Sequence, residues 1–299
     1  MDLRGVLGSA ALAGMLMLGQ RAAAQPARPE TAAASPQTAE QAALIDLTGH
    51  WVSVIDEDWH VRMITPLKGD YIEVPLNAAA RKVAGEFDPA LYGGAGYQWS
   101  AIIDCRAYGA AALMHMPTRL RISWASPEVL EIQSDWGEQT RLLHFIPGEP
   151  YGDAQQAAAR DQAAGANAGP ASLQGYSVAA WRHPYQENAP AYQREGGPGR
   201  GVPGGSTMVA QPGGALVVVT GNLAPGWLRR NGVPYGARTR LTEYYHAFQD
   251  PGGTDWFDVT TEVVDPEYLT RPFFTSSDFQ RESDGSKWAP HPCKQVTVE

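Results

Sequence analysis

The sequence predicts an all-β protein, an antiparallel up-and-down β-barrel with one short helix and long loop insertions. Three observations lead to this prediction. Short β-rich segments follow one another closely from residue 118 onward, and turn signals such as Asp250-Pro251-Gly252-Gly253 separate them. Each segment mixes apolar and polar residues, so each strand has one face in a core and one in solvent or in a lined cavity. Eight or nine such strands tend to close into a barrel or to curl into a sandwich.

The predicted elements follow from local patterns along the chain. A first strand covers residues 45–55, and a helix covers residues 76–87, with Asn77 as its N-cap and Asp88-Pro89 as its stop. Two insertions interrupt the strands: a low-complexity segment with a weak helix at 152–170, and a Pro/Gly-rich loop at 183–214. The remaining strands are predicted at residues 119–124, 129–135, 139–146, 176–182, 215–221, 238–250, 254–265 and 272–280.

The first residues have the pattern of a secretory signal peptide. Arg4 precedes an uncharged apolar run at residues 5–19, and three alanines before Gln25 offer a cleavage site. The apolar run is short for a membrane span, which needs about 20 residues. We therefore expect a signal peptide at 1–24, a disordered linker at 25–44, and a single β-barrel domain at 45–299 in the periplasm or outside the cell.

Composition and motifs exclude several classes of function. The net charge is −9 and no cluster of Lys and Arg occurs, which argues against nucleic acid as a partner. No phosphate-binding loop, dinucleotide motif or metal-ligand spacing is present, so no cofactor and no metal are predicted. The two cysteines, Cys105 and Cys293, form a disulfide in an oxidising compartment, or else they are two thiols that never meet.

Several segments of the sequence resemble a known family. The segments are Gly49-x-Trp51, Gly175–Trp181, Gly226–Tyr235, Leu241–Tyr244 and Val263–Pro272. Together they are similar to a family of exported bacterial proteins of unknown function, whose members look like single-domain, lipocalin-like (calycin-like) β-barrels. The resemblance covers most of residues 46–293 and implies the fold and export. It implies no catalytic residues.

Aromatic residues and a pair of arginines are the candidates for ligand binding. Nine Trp and twelve Tyr are a high content for this length, and they either line a cavity or fill a core. Arg229 and Arg230 lie in a predicted loop, where they either hold a carboxylate or are simply solvated. The aromatic candidates are Trp51, Trp124, Trp181, Trp227 and Tyr244.

Three residues are candidates for catalysis. Glu243 and Glu262 lie on strands that a turn joins, and two inward carboxylates close together would raise the pKa of one of them. His144 lies in an apolar run, typical of a buried histidine in a core or a cavity. The favoured function is an exported protein that binds a small apolar or aromatic ligand. The alternatives are an isomerase, cyclase or lyase that uses the two glutamates, and a structural protein of the envelope. The oligomeric state is left open.

Overall fold

The computed structural model describes residues 37–89, 106–163, 169–183 and 214–293. The helices are α1 (Trp59–Arg62), α2 (Ala78–Glu86), α3 (Ala110–Leu113) and α4 (Ala154–Ala163). The strands are β1 (Gly49–Val54), β2 (Arg119–Ser126), β3 (Val129–Ser134), β4 (Trp136–Gly137), β5 (Thr140–Phe145), β6 (Tyr176–Arg182), β7 (Ala215–Gly221), β8 (Gly226–Arg229), β9 (Val233–Tyr235), β10 (Arg240–Gln249), β11 (Asp255–Val264), β12 (Phe273–Glu282) and β13 (His291–Pro292). The predicted signal peptide, Cys105 and most of the 183–214 insertion lie outside the described residues.

Nine strands form a closed barrel, which confirms the predicted all-β class. Their order around the barrel is β1-β12-β11-β10-β7-β6-β5-β3-β2, so neighbours around the barrel follow the order of the barrel strands along the chain. The predicted helix is also present: it begins after Asn77, whose side chain accepts a hydrogen bond from the backbone N–H of Ala80. Within the described residues, no helix has the length and apolar character needed to cross a membrane.

The purely up-and-down arrangement is not found, because one pair of neighbours is parallel. Strands β5 and β6 run in the same direction, with Leu143 opposite Ser177. A parallel pair needs a long crossover connection, and the segment that contains α4 provides it. This segment was predicted to be an insertion with a weak helix, and the helix is found at Ala154–Ala163. Its helix packs Ala154, Ala157 and Ala158 on the outer face of β6 and β7, so the low-complexity sequence has a structural role.

One part of the interior of the barrel is a packed apolar core. Trp51 and Phe257 meet edge to face with ring centroids 4.8 Å apart, and Phe257 stacks on Phe279 at 4.7 Å. Trp181 packs beside Phe145 at 5.4 Å. Trp51 and Trp181, which the sequence offered as cavity lining, therefore fill this part of the interior together with three phenylalanines.

The folded part begins earlier than residue 45. Ala39 and Ala42 are buried in the same core, although they belong to the segment predicted to be a disordered linker. The indole N–H of Trp181 donates to the carbonyl of Ala39 at 2.8 Å. The backbone N–H of Ala39 donates to the carboxylate of Glu128 at 3.1 Å. Composition does not reveal these contacts, because the segment contributes backbone groups and small side chains.

The β8–β9 hairpin packs at the other end of the barrel. Sequence reasoning treated this segment as a loop, but Gly226 pairs with Tyr235 in an antiparallel ladder and the segment is buried. A Cβ on Gly226 would lie 2.5 Å from the hydroxyl of Tyr235, so only glycine fits there. The hairpin positions Arg229 and Arg230 against the segment that follows β1.

Candidate functional site

Glu243, a predicted catalytic residue, lies inside the barrel in an ion pair. Arg141 on β5 donates to both of its carboxylate oxygens, at 2.8 Å and 2.5 Å, and both side chains are fully buried. The hydroxyl of Tyr245 donates to the same carboxylate at 3.2 Å. The carboxylate thus accepts three hydrogen bonds from fixed donors, an arrangement typical of a buried structural pair.

Electrostatics keep this pair together. Burial alone would lower the pKa of Arg141, but the charge of Glu243 and the hydrogen bonds to it outweigh burial and raise that pKa. Burial also raises the pKa of Tyr245 well above its ordinary value, so the phenol keeps its proton and remains a donor. Both donors to Glu243 therefore keep their protons at neutral pH, and the hydrogen bonds to its carboxylate persist.

Glu262 does not share the interior with Glu243. The register of β10 and β11 places Glu243 opposite Thr261, and Thr242 opposite Glu262. Residues that are opposite each other share a face and neighbours along a strand alternate, so Glu262 lies on the outer face. The predicted pair of inward carboxylates is wrong. Glu243 is paired with Thr261, and Glu262 is one residue further along β11, so its side chain points to the opposite face.

His144 lies on the outer face of β5. Its ring stacks on Tyr176 with centroids 4.7 Å apart and planes 8° apart. Burial lowers its pKa, so the ring is neutral at pH 7. Glu243, Glu262 and His144 therefore do not converge on one site.

The predicted ligand-binding aromatics are distributed over three places. Trp51 and Trp181 are in the core, and the indole N–H of Trp51 donates to the carbonyl of Leu47 at 2.8 Å. Tyr244 lies on the outer face of the barrel, in the cluster that α4 covers. Trp227 lies in the β8–β9 hairpin at the other end of the barrel, and its ring centroid is 6.5 Å from that of Phe87. The structure brings only Trp124 and Trp181 together at one cavity.

That cavity lies at one mouth of the barrel and is called the mouth pocket below. Its volume is about 370 Å³. Trp124 is partly buried and contacts Phe145 with ring centroids 5.7 Å apart. Glu40 and Asp46 make the rim acidic. The lining consists of Glu40, Ala43, Leu44, Ile45, Asp46, Leu47, Thr48, Trp124, Leu130 and Trp181.

Arg229 and Arg230 do not form a solvated pair at a mouth. Both are buried, and each donates to a backbone carbonyl: Arg229 to that of Ile72 at 2.7 Å, and Arg230 to that of Arg62 at 2.6 Å. The predicted loop position is wrong, because the hairpin turns both side chains onto the segment between β1 and α2. Arg229 also lies 3.8 Å from the carboxylate of Glu73.

A group of ionisable residues and one serine lies at the end of β1 opposite to the mouth pocket. We call it the acid–base cluster; it consists of Asp56, Glu57, Asp58, Arg62, His115, Ser277 and Asp278. Arg62 is fully buried and connects the group: it pairs with Glu57, donates to Ser53 Oγ at 3.1 Å, and donates to the carbonyl of His115 at 2.9 Å. Oxygens of Asp56, Glu57 and Asp278 lie within 4.8 Å of one another.

The pKa values in this cluster move in opposite directions. Burial, followed by the hydrogen bond with Asp56, raises the pKa of Glu57 to about 7, although Arg62 opposes this shift. The hydrogen bond with Glu57 lowers the pKa of Asp56. Burial lowers the pKa of His115, and the hydrogen bond with His115 lowers the pKa of Asp58. Neighbouring groups with such divergent pKa values are typical of proton-transfer sites.

Sequence reasoning missed most of this cluster. The run Asp56-Glu57-Asp58 does not predict a metal site, because its spacing matches no calcium loop. Nothing in the sequence connects that run to His115 or Ser277, which lie on distant segments. Only the barrel register, with Val54 opposite Asp278, places β12 beside the end of β1.

Comparison of the chain with profiles of protein families, with curated proteins and with solved structures finds no match. The resemblance to an exported family therefore stays a prediction, as does export itself. The Cys105–Cys293 disulfide also stays a prediction, because Cys105 is outside the described residues. Its expected partner, Cys293, packs in the cluster that contains Ala107 and Tyr108, close in sequence to Cys105.

Stability should depend on pH through Glu57. Its pKa is about 7 in the folded chain against 4.5 for the ordinary group, so the folded state holds more protons between these values. Stability then falls as pH rises from about 4.5 to about 7 and levels off above. Glu57→Gln should remove this contribution, whereas Glu86→Gln, at an exposed glutamate of α2, should leave it. Thermal unfolding of the three proteins from pH 4.5 to 8 checks this; parallel curves for all three would refute it.

Proposed function

We propose that this protein is an exported carrier that binds a small apolar or aromatic molecule in the mouth pocket. The observation that supports the proposal is the pocket itself, a cavity of about 370 Å³ beside Trp124, Trp181 and Leu44. Ligand pockets commonly have volumes of roughly 300 to 1,000 Å³ and apolar walls with a few polar groups. Aromatic side chains add contact area with little loss of side-chain entropy.

The charge of the rim narrows the ligand class. Glu40 and Asp46 are the ionisable side chains among the residues that line the pocket, and both are acidic. Arg281 lies 3.5 Å from the carboxylate of Asp46 and neutralises part of this charge. A neutral or cationic aromatic molecule suits such a rim, and an anionic one does not.

Dye binding tests this function. We expect neutral Nile red to bind the folded protein with micromolar affinity, and Trp124→Ala to weaken binding at least tenfold. The matched control is Trp59→Ala, at an exposed tryptophan beyond the other end of β1. Fluorescence titration gives the dissociation constants. Equal affinities for the wild type and Trp124→Ala, or no saturable binding, would remove the basis of the proposal.

The enzymatic alternative needs a different site from the predicted one. An isomerase, cyclase or lyase that uses Glu243 and Glu262 requires both carboxylates to face one substrate. The strand register separates them, and Arg141 engages Glu243. Acid–base chemistry is better supported at the acid–base cluster.

A further inference from the structure

Ser277, His115 and Asp58 form a continuous chain of polar contacts within the acid–base cluster. The hydroxyl oxygen of Ser277 lies 3.1 Å from Nδ1 of His115. Nε2 of the same ring lies 3.4 Å from Oδ2 of Asp58. The three residues come from β12, from the turn after α3, and from the segment between β1 and α1.

The charges decide which nitrogen of His115 carries the proton. The hydrogen bond with His115 lowers the pKa of Asp58, so this carboxylate is ionised at neutral pH. An ionised carboxylate only accepts hydrogen bonds, so Nε2 carries the proton and donates it. Burial lowers the pKa of His115, so the ring is neutral and Nδ1 has a free lone pair. That lone pair faces the hydroxyl of Ser277, as a general base faces a nucleophile. The carbonyl of Ser276, 2.8 Å from the same hydroxyl, is a second acceptor, so the hydroxyl turns from this carbonyl to Nδ1 when it reacts.

The surrounding backbone holds this chain in place. Asp58 has φ of +51°, a left-handed conformation that is strained for a residue other than glycine. Such strain is often found where a side chain must be aimed at a functional site. Arg62 holds the carbonyl of His115 at 2.9 Å, which fixes the position of the histidine.

We propose that Ser277, His115 and Asp58 form a nucleophilic site that hydrolyses esters of small carboxylic acids. The hydroxyl oxygen of Ser277 attacks the ester carbonyl carbon while its proton passes to Nδ1 of His115. The ester C–O bond then breaks, and the leaving alkoxide takes that proton. Water hydrolyses the acyl-serine through the same two proton transfers and releases the acid. Asp58 is a positioning residue that orients the ring and stabilises its charged form.

Burial limits the substrate and charge favours the transition state. Ser277 is 2% exposed, while the side chains of His115 and Asp58 are 13% and 30% exposed, so the chain opens to solvent at its acidic end. Because the serine is buried to this extent, the proposed substrate has a small acyl group, such as acetyl. The charges of Arg62 and Arg229 act on His115. Among the charged groups that act on His115, these two cations favour a developing oxyanion, and Asp58 favours the protonated ring.

Covalent labelling of the full chain tests this site. Methanesulfonyl fluoride, whose sulfonyl group is close to acetyl in size, should modify one residue, and peptide mass spectrometry should locate the sulfonyl group on Ser277. Hydrolysis of p-nitrophenyl acetate should fall at least a hundredfold in Ser277→Ala, and to a similar extent in His115→Asn. The matched control is Ser276→Ala, which removes the exposed neighbouring hydroxyl and should leave the rate unchanged.

The pH profile separates a catalytic role from a structural one. The acylation rate should decline as His115 becomes protonated, below the ordinary histidine value near 6.5. Because the neighbouring Glu57 titrates near pH 7, the profile is measured in the Glu57→Gln variant as well, where the decline should persist. Arg62 and Arg229 stay charged in this range, and Asp58 orients the ring throughout. Thermal unfolding should show that Ser277→Ala is folded. No labelling of Ser277, or equal hydrolysis by the wild type and a folded Ser277→Ala, would overturn the proposal.

Discussion

Arg141→Met should be among the most destabilising substitutions in this protein, with a loss of about 3–5 kcal/mol in the free energy of unfolding. The substitution removes the guanidinium that donates to both oxygens of Glu243, and it leaves a buried carboxylate without its countercharge. The hydroxyl of Tyr245 remains as a donor to that carboxylate. One neutral donor does not replace a charged one that binds through two hydrogen bonds.

A double variant separates the charge from the packing. Adding Glu243→Leu to Arg141→Met removes both charges, and stability should return to near that of the wild type or exceed it. Urea unfolding of both variants measures the two free energies. A loss below about 1 kcal/mol for the single variant would show that the pair is not buried in the folded protein.

Trp181→Ala should cost about 3–5 kcal/mol, in the range of large-to-small substitutions in packed cores. Trp181 is 1% exposed and packs against Phe145, so its removal leaves a cavity in the barrel. Its indole also donates to the carbonyl of Ala39, and the substitution leaves that carbonyl without this donor. Trp181, which the sequence offered as a ligand-binding residue, therefore also holds the N-terminal segment in place.

The matched comparison is Trp124→Ala at the same pocket. Trp124 is only partly buried, so its loss should cost much less stability than the loss of Trp181. Chemical denaturation of the two variants makes the comparison, and equal losses would contradict the packing described for the mouth. Trp124 is therefore the better residue for testing ligand binding.

The sequence predicts the barrel well, because strands have strong local signals. Predicted strands at 176–182 and 215–221 match β6 and β7 to the residue. The direction of one strand was not predictable, because β5 and β6 are parallel only through the crossover that contains α4. The segment of α4 is rich in alanine, and its sequence alone does not show which surface it covers.

The sites were harder to predict than the fold, because they depend on register and on contacts between distant segments. The face on which Glu243 lies follows from alternation, but whether Glu262 shares it depends on one residue of register. Asp58, His115 and Ser277 are far apart along the chain, and no local pattern indicates that they meet. Burial of the Arg229 side chain was also invisible, because its partner is a backbone carbonyl.

The most direct test of the proposed carrier function is a nitrogen–proton NMR spectrum of the tryptophan indoles during titration with Nile red. The indoles of Trp124 and Trp181 border the mouth pocket, and that of Trp227 lies at the other end of the barrel. We predict saturable shifts for the first two signals and none for the third. Shifts confined to Trp227, or no saturable shift at any indole, would contradict the proposed binding site.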